Sequence, residues 1–357
     1  MTAKINKWFK MENTSEYIDY IKNKFSFSQI EESLNRLADL EVLVVGDTII
    51  DKYTYVQQKG RAIKDPILSV EYKNEETYAG GILAVANHVS SFVNKVKVVT
   101  LIGDEDSMLD LIKSSLKNNI ELKYFVKENA PTTIKQRMID FYRSNKLFKI
   151  EYINDSPITK HLSEEITRHL IETNPQHNLI LVGDYGHGFI NQDIRRTLED
   201  ESKFLSINVQ SNSSNMGYNY FTLYKKFDFL TVNESELRLP LSMRFESIED
   251  VIDAAYTKLD VGNFLVTRGK KGCVLVKDGK CFSSPIITSS VKDTVGSGDA
   301  VFAISSLCIN ANLNNELIPF LANCTGGIAT NIVGNKESVT KENLLDFVKK
   351  VYDNGLE

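Results

Sequence analysis

The sequence predicts a single doubly wound α/β domain: a mostly parallel sheet with helices on both faces, carrying a small β-sheet lid. Three observations lead there. The apolar runs at 42–45 and 179–182 are continuous rather than alternating, as in strands buried on both faces, and 229–232 reads as another buried strand. Each ends in a polar or glycine-rich turn, and strand-like and helix-like segments alternate along most of the chain, as in a parallel sheet with right-handed crossovers. Two β-rich pieces, near 52–72 and 132–153, interrupt that alternation and resemble each other in character.

Residues 1–40 are polar with two helical patterns and read as an N-terminal helical extension of the main domain at 41–357. Phe27, Ile30, Leu34, Leu37 and Leu40 fall at helix spacing, with Ser28 as the expected cap and Glu31 three residues on. Trp8 and Phe9 lie among lysines; a surface helix packed on the body or on a neighbouring subunit is expected, with a membrane-touching segment as the alternative. The run at 42–45 ends at Gly46-Asp47 and reads as a buried parallel strand. Exposed strands are expected near 52–57 and 67–72, separated by Lys59-Gly60-Arg61 and Asp65-Pro66. Gly80-Gly81 opens a helix of small residues reaching about Val93; strand 96–102, helix 107–118 and strand 121–126 follow. Residues 132–153 read as a hairpin turning at Arg143-Ser-Asn145.

The alternation resumes with helix 162–173 and strand 179–182, which ends at Gly183-Asp184, and then with helix 191–201 and strand 204–207. Strand 229–232 runs into Asn233-Glu234-Ser235-Glu236; helix 247–259 leads to strand 263–267, with 272–276 as its hairpin partner. Helices at about 298–312, 315–332 and 341–352 close the chain, and no internal repeat is found. The two interrupting pieces are expected to join into one small sheet. Over the C-terminal edge of a parallel sheet, where ligands bind, it would form a lid.

Hydrophobic residues make up 42% and charged residues 25% of the 357, which excludes a disordered chain or a coiled-coil rod. A net charge of -5 with mixed signs leaves no footprint for nucleic acid. There is no apolar run of membrane-spanning length and no secretory h-region at the N-terminus. A cytoplasmic protein with neither membrane nor nucleic-acid partners is expected. Cys273, Cys281, Cys308 and Cys324 show no C-x-x-C pair and read as reduced thiols; Cys273 and Cys281 flank a turn at Asp278-Gly279, where a disulfide is the alternative. The sequons at Asn13, Asn212 and Asn233 read as chance. His88, His161, His169 and His177 lack metal-ligand spacing, so no zinc site is expected.

The sharpest motif is Asp293-Thr-Val-Gly296-Ser297-Gly298-Asp299, which runs into a helical segment. Glycines let backbone approach a ligand closely, and a helix N-terminus presents unpaired N–H groups to an anion. Asp299 would sit in the first turn, where a carboxylate can take a proton from a hydroxyl beside that anion. Taken alone, the motif also fits an ordinary loop-to-helix junction. It is not a Walker A loop, since no Lys-Ser/Thr follows. The other strand-end turns change the weighing: Gly46-Asp47-x-x-x-Asp51, Gly80-Gly81, Asn233-x-x-Glu236 and Thr267-Arg-Gly269-Lys-Lys-Gly272. Five such turns on one sheet edge point to a nucleotide-and-substrate site.

This set of residues resembles the ribokinase-like (PfkB-like) carbohydrate kinase family over about 41–352, and the signature D-T-x-G-[AS]-G-D is matched in full. Residues 132–153 and Gly183-Asp-Tyr-Gly-His-Gly188 look most like the heptose-7-phosphate kinase domain of bifunctional heptose kinase/adenylyltransferase enzymes. No segment of nucleotidyltransferase length follows, so the second activity is expected to be absent. The resemblance implies transfer of the γ-phosphate of ATP to a hydroxyl of a sugar or sugar phosphate, with Mg²⁺. Asp299 would be the base, and Val295, Gly296, Ser297 and Gly298 the backbone anion hole. Asn233 and Glu236 would organise Mg²⁺ through water. Thr267, Gly269 and Gly272 would shape the nucleotide site, with Asn323 near the adenine. Asp51 and Asp47 would hold sugar hydroxyls, with Gly80 and Gly81 allowing close approach. A monovalent cation, K⁺, is implied near Asp293, and a homodimer through the lid.

Two positions depart from the pattern. Ala84 stands where the family often has Asn, and Asn87 lies one helical turn on, at a place that can compensate. His187 stands where close relatives often have Lys to hold a substrate phosphate. Lys135 and Arg137 read as solvated strand residues with a substrate phosphate as the alternative, and Asn208-Val-Gln210-Ser-Asn212 follows a strand end where it can line the site. The competing readings are a nucleoside or vitamin kinase on the same fold, a catalytically silent scaffold, and a kinase module docked to an assembly through 1–40.

Overall fold

The structure, a computed structural model, describes residue 5 and residues 7–259, 261–288 and 290–355. Its strands are β1 (Lys7–Phe9), β2 (Val42–Arg61), β3 (Leu68–Gly81), β4 (Val96–Gly103), β5 (Ile120–Lys127), β6 (Ile134–Asp140), β7 (Lys146–Tyr152), β8 (Leu179–Asp184), β9 (Leu205–Val209), β10 (Phe229–Asn233), β11 (Phe264–Thr267), β12 (Cys273–Lys277) and β13 (Lys280–Ser284). Its helices are α1 (Thr14–Lys24), α2 (Phe27–Asn35), α3 (Ile82–Ser90), α4 (Leu109–Ser115), α5 (Lys160–Thr173), α6 (Gln192–Glu201), α7 (Glu234–Leu241), α8 (Ile248–Lys258), α9 (Ser297–Asn310), α10 (Leu317–Ala329) and α11 (Lys341–Asn354).

The continuous apolar runs become parallel strands in the order β5-β4-β2-β8-β9-β10-β11, extended by the antiparallel β12 and β13. Successive β2 residues point to opposite faces. Val42 and Val44 join a core with Leu307 of α9 and Phe320 of α10, while Leu43 and Val45 join one with Leu170 of α5, Ile194 of α6 and Ile252 of α8. From β2 the chain steps outward through β4 to β5, then returns on the other side with β8. That reversal is a topological switch point, and it opens a crevice at the C-terminal ends of β2 and β8.

The strand that begins at Val42 does not stop at Gly46-Asp47. It runs on to Arg61, because the β-branched and aromatic residues after Asp47 keep pairing with β3. The Gly-Asp step marks where β2 leaves the helix-covered sheet. Beyond it, β3-β2-β6-β7 form the lid, with β2 and β6 parallel and the other pairs antiparallel.

The N-terminal 40 residues are not purely helical. Trp8 and Phe9 lie in β1, which pairs with β13, and Phe9 stacks on Phe282 at 5.3 Å, so this segment is a sheet edge rather than a surface or membrane-touching helix. Tyr17, Ile18 and Ile21 of α1 pack into the core that holds Phe320. The cap of α2 is Ser26 rather than Ser28: Ser26 Oγ accepts from Gln29 N and Gln29 Oε1 accepts from Ser26 N, two residues earlier than expected. All four cysteines are free and buried; Cys273 faces Ser284 across β12–β13, not Cys281. Among the described residues no helix is long and apolar enough to cross a membrane.

Candidate active site

Asp299 lies in the first turn of α9, whose first i→i−4 bond runs from Ala300 N to Gly296 O at 3.0 Å. The N–H groups of Gly298 and Asp299 therefore point out of the helix end, toward the crevice, whereas Val295 N donates to Asp293 Oδ1 and Ser297 N to Thr294 O, so these two expected anion-hole donors are spent within the loop. Gly296 is in the left-handed region at φ 79°, and a Cβ there would lie 2.1 Å from Asn335 Oδ1, so the loop needs glycine for both reasons. Ser297 Oγ donates to Thr294 O at 2.9 Å and tightens the same turn.

Asp299 is buried, and its Oδ1 accepts from Tyr185 OH at 2.8 Å and from Gln210 Nε2 at 3.2 Å. Burial pushes its carboxyl up to about 7, opposed by the Tyr185 hydrogen bond, raised further by the Asp51 charge and lowered by Lys135. A carboxyl poised there is suited to general-base work near neutral pH.

Opposite it, Asp51 sits in the lid part of β2. Its Oδ1 accepts from Arg137 at 2.5 Å and its Oδ2 from Asn335 Nδ2 at 2.8 Å. Gly80 is required beside them, because a Cβ there would lie 2.2 Å from Asp51 Oδ2. The ladder sets Asp51 against Lys135 and Tyr53 against Arg137, and Arg137 lies over the Tyr53 ring. Both cations therefore face the crevice and are not solvated strand residues. Arg137 is 15% exposed, and desolvation lowers Lys135 even though Asp51 and Glu151 raise it.

On the other side of Asp299, a cleft of about 270 Å³ is lined by Thr267, Gly269, Gly272, Gly298, Asn323 and Gly327. The Asn323 amide donates to Ser284 O and Pro285 O, fixing one wall. Asn233 and Glu236 form the capping box of α7: Asn233 Oδ1 accepts from Glu236 N at 2.8 Å, and Glu236 Oε2 accepts from Asn233 N at 3.2 Å. Glu236 Oε1 also accepts from Ser211 N. Burial pushes Glu236 up to about 7, more than these backbone donors pull it down. A nearby cation would restore its charge, so the group fits Mg²⁺ brought with a nucleotide. Among the described residues no cluster of three or more acidic, His or Cys side chains could hold a metal, so phosphates and water would supply the rest of its ligands.

Several expected site residues have other work. Asp47 does not face the sugar side: its carboxylate accepts from Tyr185 N at 3.0 Å, His187 N at 3.4 Å and Phe189 N at 3.3 Å. It pins the turn that carries Tyr185, because β2 continues past it. Gly81 caps the start of α3. Asn87 does not compensate for Ala84, since its amide is held by Ser115 O and Lys117 N at the α4–β5 turn; the amide beside Asp51 is Asn335. The His187 ring is 2% exposed and bound to Asp155 at 3.0 Å, so it cannot receive a substrate phosphate. Asp293 holds Lys146 rather than an open cation site. Of the 208–212 stretch, Gln210 reaches Asp299. Sequence reasoning missed Tyr185, Asn335 and Lys146; only Tyr185, in the turn after a buried strand, lay where strand-end logic looks.

The model of the pfkB family of carbohydrate kinases matches residues 39–340, leaving β1, α1 and α2 outside at one end and α11 at the other. The bifunctional protein HldE of Koribacter versatilis is 27% identical over 305 residues, 84% of this chain and 61% of that protein, so the chain spans about three-fifths of its length. Two solved structures share the fold. One is Arabidopsis thaliana ribokinase complexed with ribose and ATP, with TM-score 0.66 and 18% identity over 87% of this chain and 99% of that one. The other is Escherichia coli phosphofructokinase-2 in complex with potassium, with TM-score 0.67 and 12% identity over 88% of this chain and 99% of that one.

Proposed function

The chain belongs to the pfkB family of carbohydrate kinases and is a phosphotransferase acting on a sugar hydroxyl; from that premise we propose that it transfers the γ-phosphoryl group of Mg·ATP to a sugar that already carries a phosphate. The observation that supports this most is Asp299, buried between the Gly298–Asn323 cleft and the Asp51–Arg137 wall. The Gly298–Asn323 cleft would take ATP with its phosphates toward the α9 N-terminus, and Glu236 would hold Mg²⁺ through water, the ion neutralising phosphate charge. Asp299 takes the proton of the attacking hydroxyl, the sugar oxygen bonds to the γ-phosphorus, and the bond to the β-phosphate oxygen breaks. Backbone N–H groups of Gly296, Gly298 and Asp299 stabilise the transferring charge. Tyr185 and Gln210 orient the base, and the lid excludes water.

The phosphorylated substrate is read from Lys135 and Arg137. They are the desolvated cations on the crevice face of the lid, where His187 offers nothing. Lys135 makes no ion pair among the described residues. Replacing Lys135 with Gln is expected to raise KM for the sugar phosphate about tenfold to a hundredfold, with a smaller change in kcat. ADP release measured across sugars, sugar phosphates and nucleosides tests the whole reading. Preference for a hexose or heptose phosphate is expected, and equal efficiency on the unphosphorylated sugar would remove the phosphate assignment.

The outer lid face exposes Phe148, Ile150 and Tyr152, which alternate on β7. A second copy covering this face gives the homodimer. Sedimentation velocity is expected to show a dimer that Ile150→Glu converts to a monomer; a monomeric wild type contradicts it.

A further inference from the structure

Asp293 opens the anion-hole loop, and its carboxylate is already filled. Oδ2 accepts from Tyr53 OH and from Gly334 N, both at 3.0 Å; Oδ1 accepts from Val295 N at 3.1 Å and from the Lys146 ammonium at 2.6 Å. A carboxylate offers about four lone-pair sites, so a metal ion can reach this one only by displacing a donor. Burial works to raise the group, yet the Lys146 hydrogen bond and the backbone N–H groups hold it below its ordinary value. A monovalent metal on Asp293 does not fit these residues.

Lys146 reaches Asp293 through a break in the ladder. Along β6–β7, Lys135 faces Glu151 and Arg137 faces Lys149 on the crevice side, while Gln136–Ile150 and Met138–Phe148 lie on the outer side. An unbroken register would next pair Ile139 with Leu147 and leave Lys146 outside with Phe148. Instead Ile139 pairs with Lys146, Leu147 is the extra residue, and the bulge turns Lys146 to the crevice. Tyr53, from β2, grips the same carboxylate. Two lid strands therefore hold the first residue of the loop that carries the anion hole.

We propose that Lys146 is a built-in cation of the phosphoryl-transfer site: its ammonium occupies the place a monovalent metal would take on Asp293 and fixes the 295–298 loop to the lid. It is a positioning residue, since it acts through Asp293. The test compares wild type, Lys146→Gln and Lys146→Arg in potassium chloride and in tetramethylammonium chloride at equal ionic strength, by steady-state kinetics and by unfolding midpoint. Wild-type kinetics and midpoint are expected to be the same in both salts. In tetramethylammonium, Lys146→Gln is expected to lose about tenfold or more in kcat. Potassium should restore part of that loss and raise this variant's midpoint, as a ligand of the folded state does. Lys146→Arg should keep the wild-type pattern. A wild type that needs potassium or is stabilised by it overturns the proposal. So does a Lys146→Gln protein that matches wild type in tetramethylammonium. If Lys146→Gln does not fold, the wild-type and Arg comparisons decide alone. The kinetic readout rests on the proposed function and the midpoints do not, so a chain inactive on every sugar still reports on Lys146 through its melting.

Discussion

Replacing Asp299 with Asn is expected to lower kcat by about 10³- to 10⁴-fold, the range of losing a positioned general base. The amide keeps the shape and one acceptor for Tyr185 but cannot take the hydroxyl proton. ATP affinity, measured calorimetrically, should stay close to wild type, because the cleft and the backbone N–H groups are unchanged. The same assignment fixes the sign of the pH profile. The working form of Asp299 is the carboxylate, and its carboxyl is pushed up to about 7. kcat/KM, which reports the free enzyme, should therefore fall as pH drops through about 7. Tyr185 donates to the charged form and lowers this value. Tyr185→Phe should move the acidic limb to higher pH, and a limb left in place would remove Tyr185 from the account.

The second large effect is expected at the glycines. Gly296→Ala would put a Cβ 2.1 Å from Asn335 Oδ1 at a φ of 79° that side chains rarely adopt. Either Asn335 yields, releasing the Oδ2 of Asp51, or the loop itself shifts. A loss of about 10²- to 10³-fold in kcat is expected, the size of a lost oxyanion donor, together with a lower melting midpoint. Gly298→Ala separates packing from ligand binding. A Cβ at Gly298 meets nothing within 4 Å, and the residue lines the cleft. Its midpoint should match wild type while KM for ATP rises. If both variants melt early and bind ATP normally, the glycines serve the fold and not the nucleotide.

The sheet and the base were legible because each rests on local pattern. Continuous apolar runs marked the strands, and the helix after Gly298 placed Asp299 at its N-terminus. The supporting contacts were not legible because they join distant segments. Tyr185 lies 114 positions from Asp299, Asn335 lies 284 from Asp51, and Lys146 lies 147 from Asp293. Lys146 also depends on a one-residue bulge, which alternation alone would place on the wrong face. Asp47 was misassigned for a related reason. Reading β2 as ending at Gly46-Asp47 put that carboxylate at a strand tip, whereas the strand continues and the group is spent on the 185–189 turn.

Phosphorus NMR of the wild-type chain incubated with Mg·ATP and a hexose or heptose phosphate, beside Asp299→Asn, tests both the transfer and its base. ADP and a second sugar-phosphate ester are expected in equal amounts with wild type, and neither with the variant. ADP accompanied only by inorganic phosphate, or the same ester formed at a near-normal rate by Asp299→Asn, would contradict this assignment.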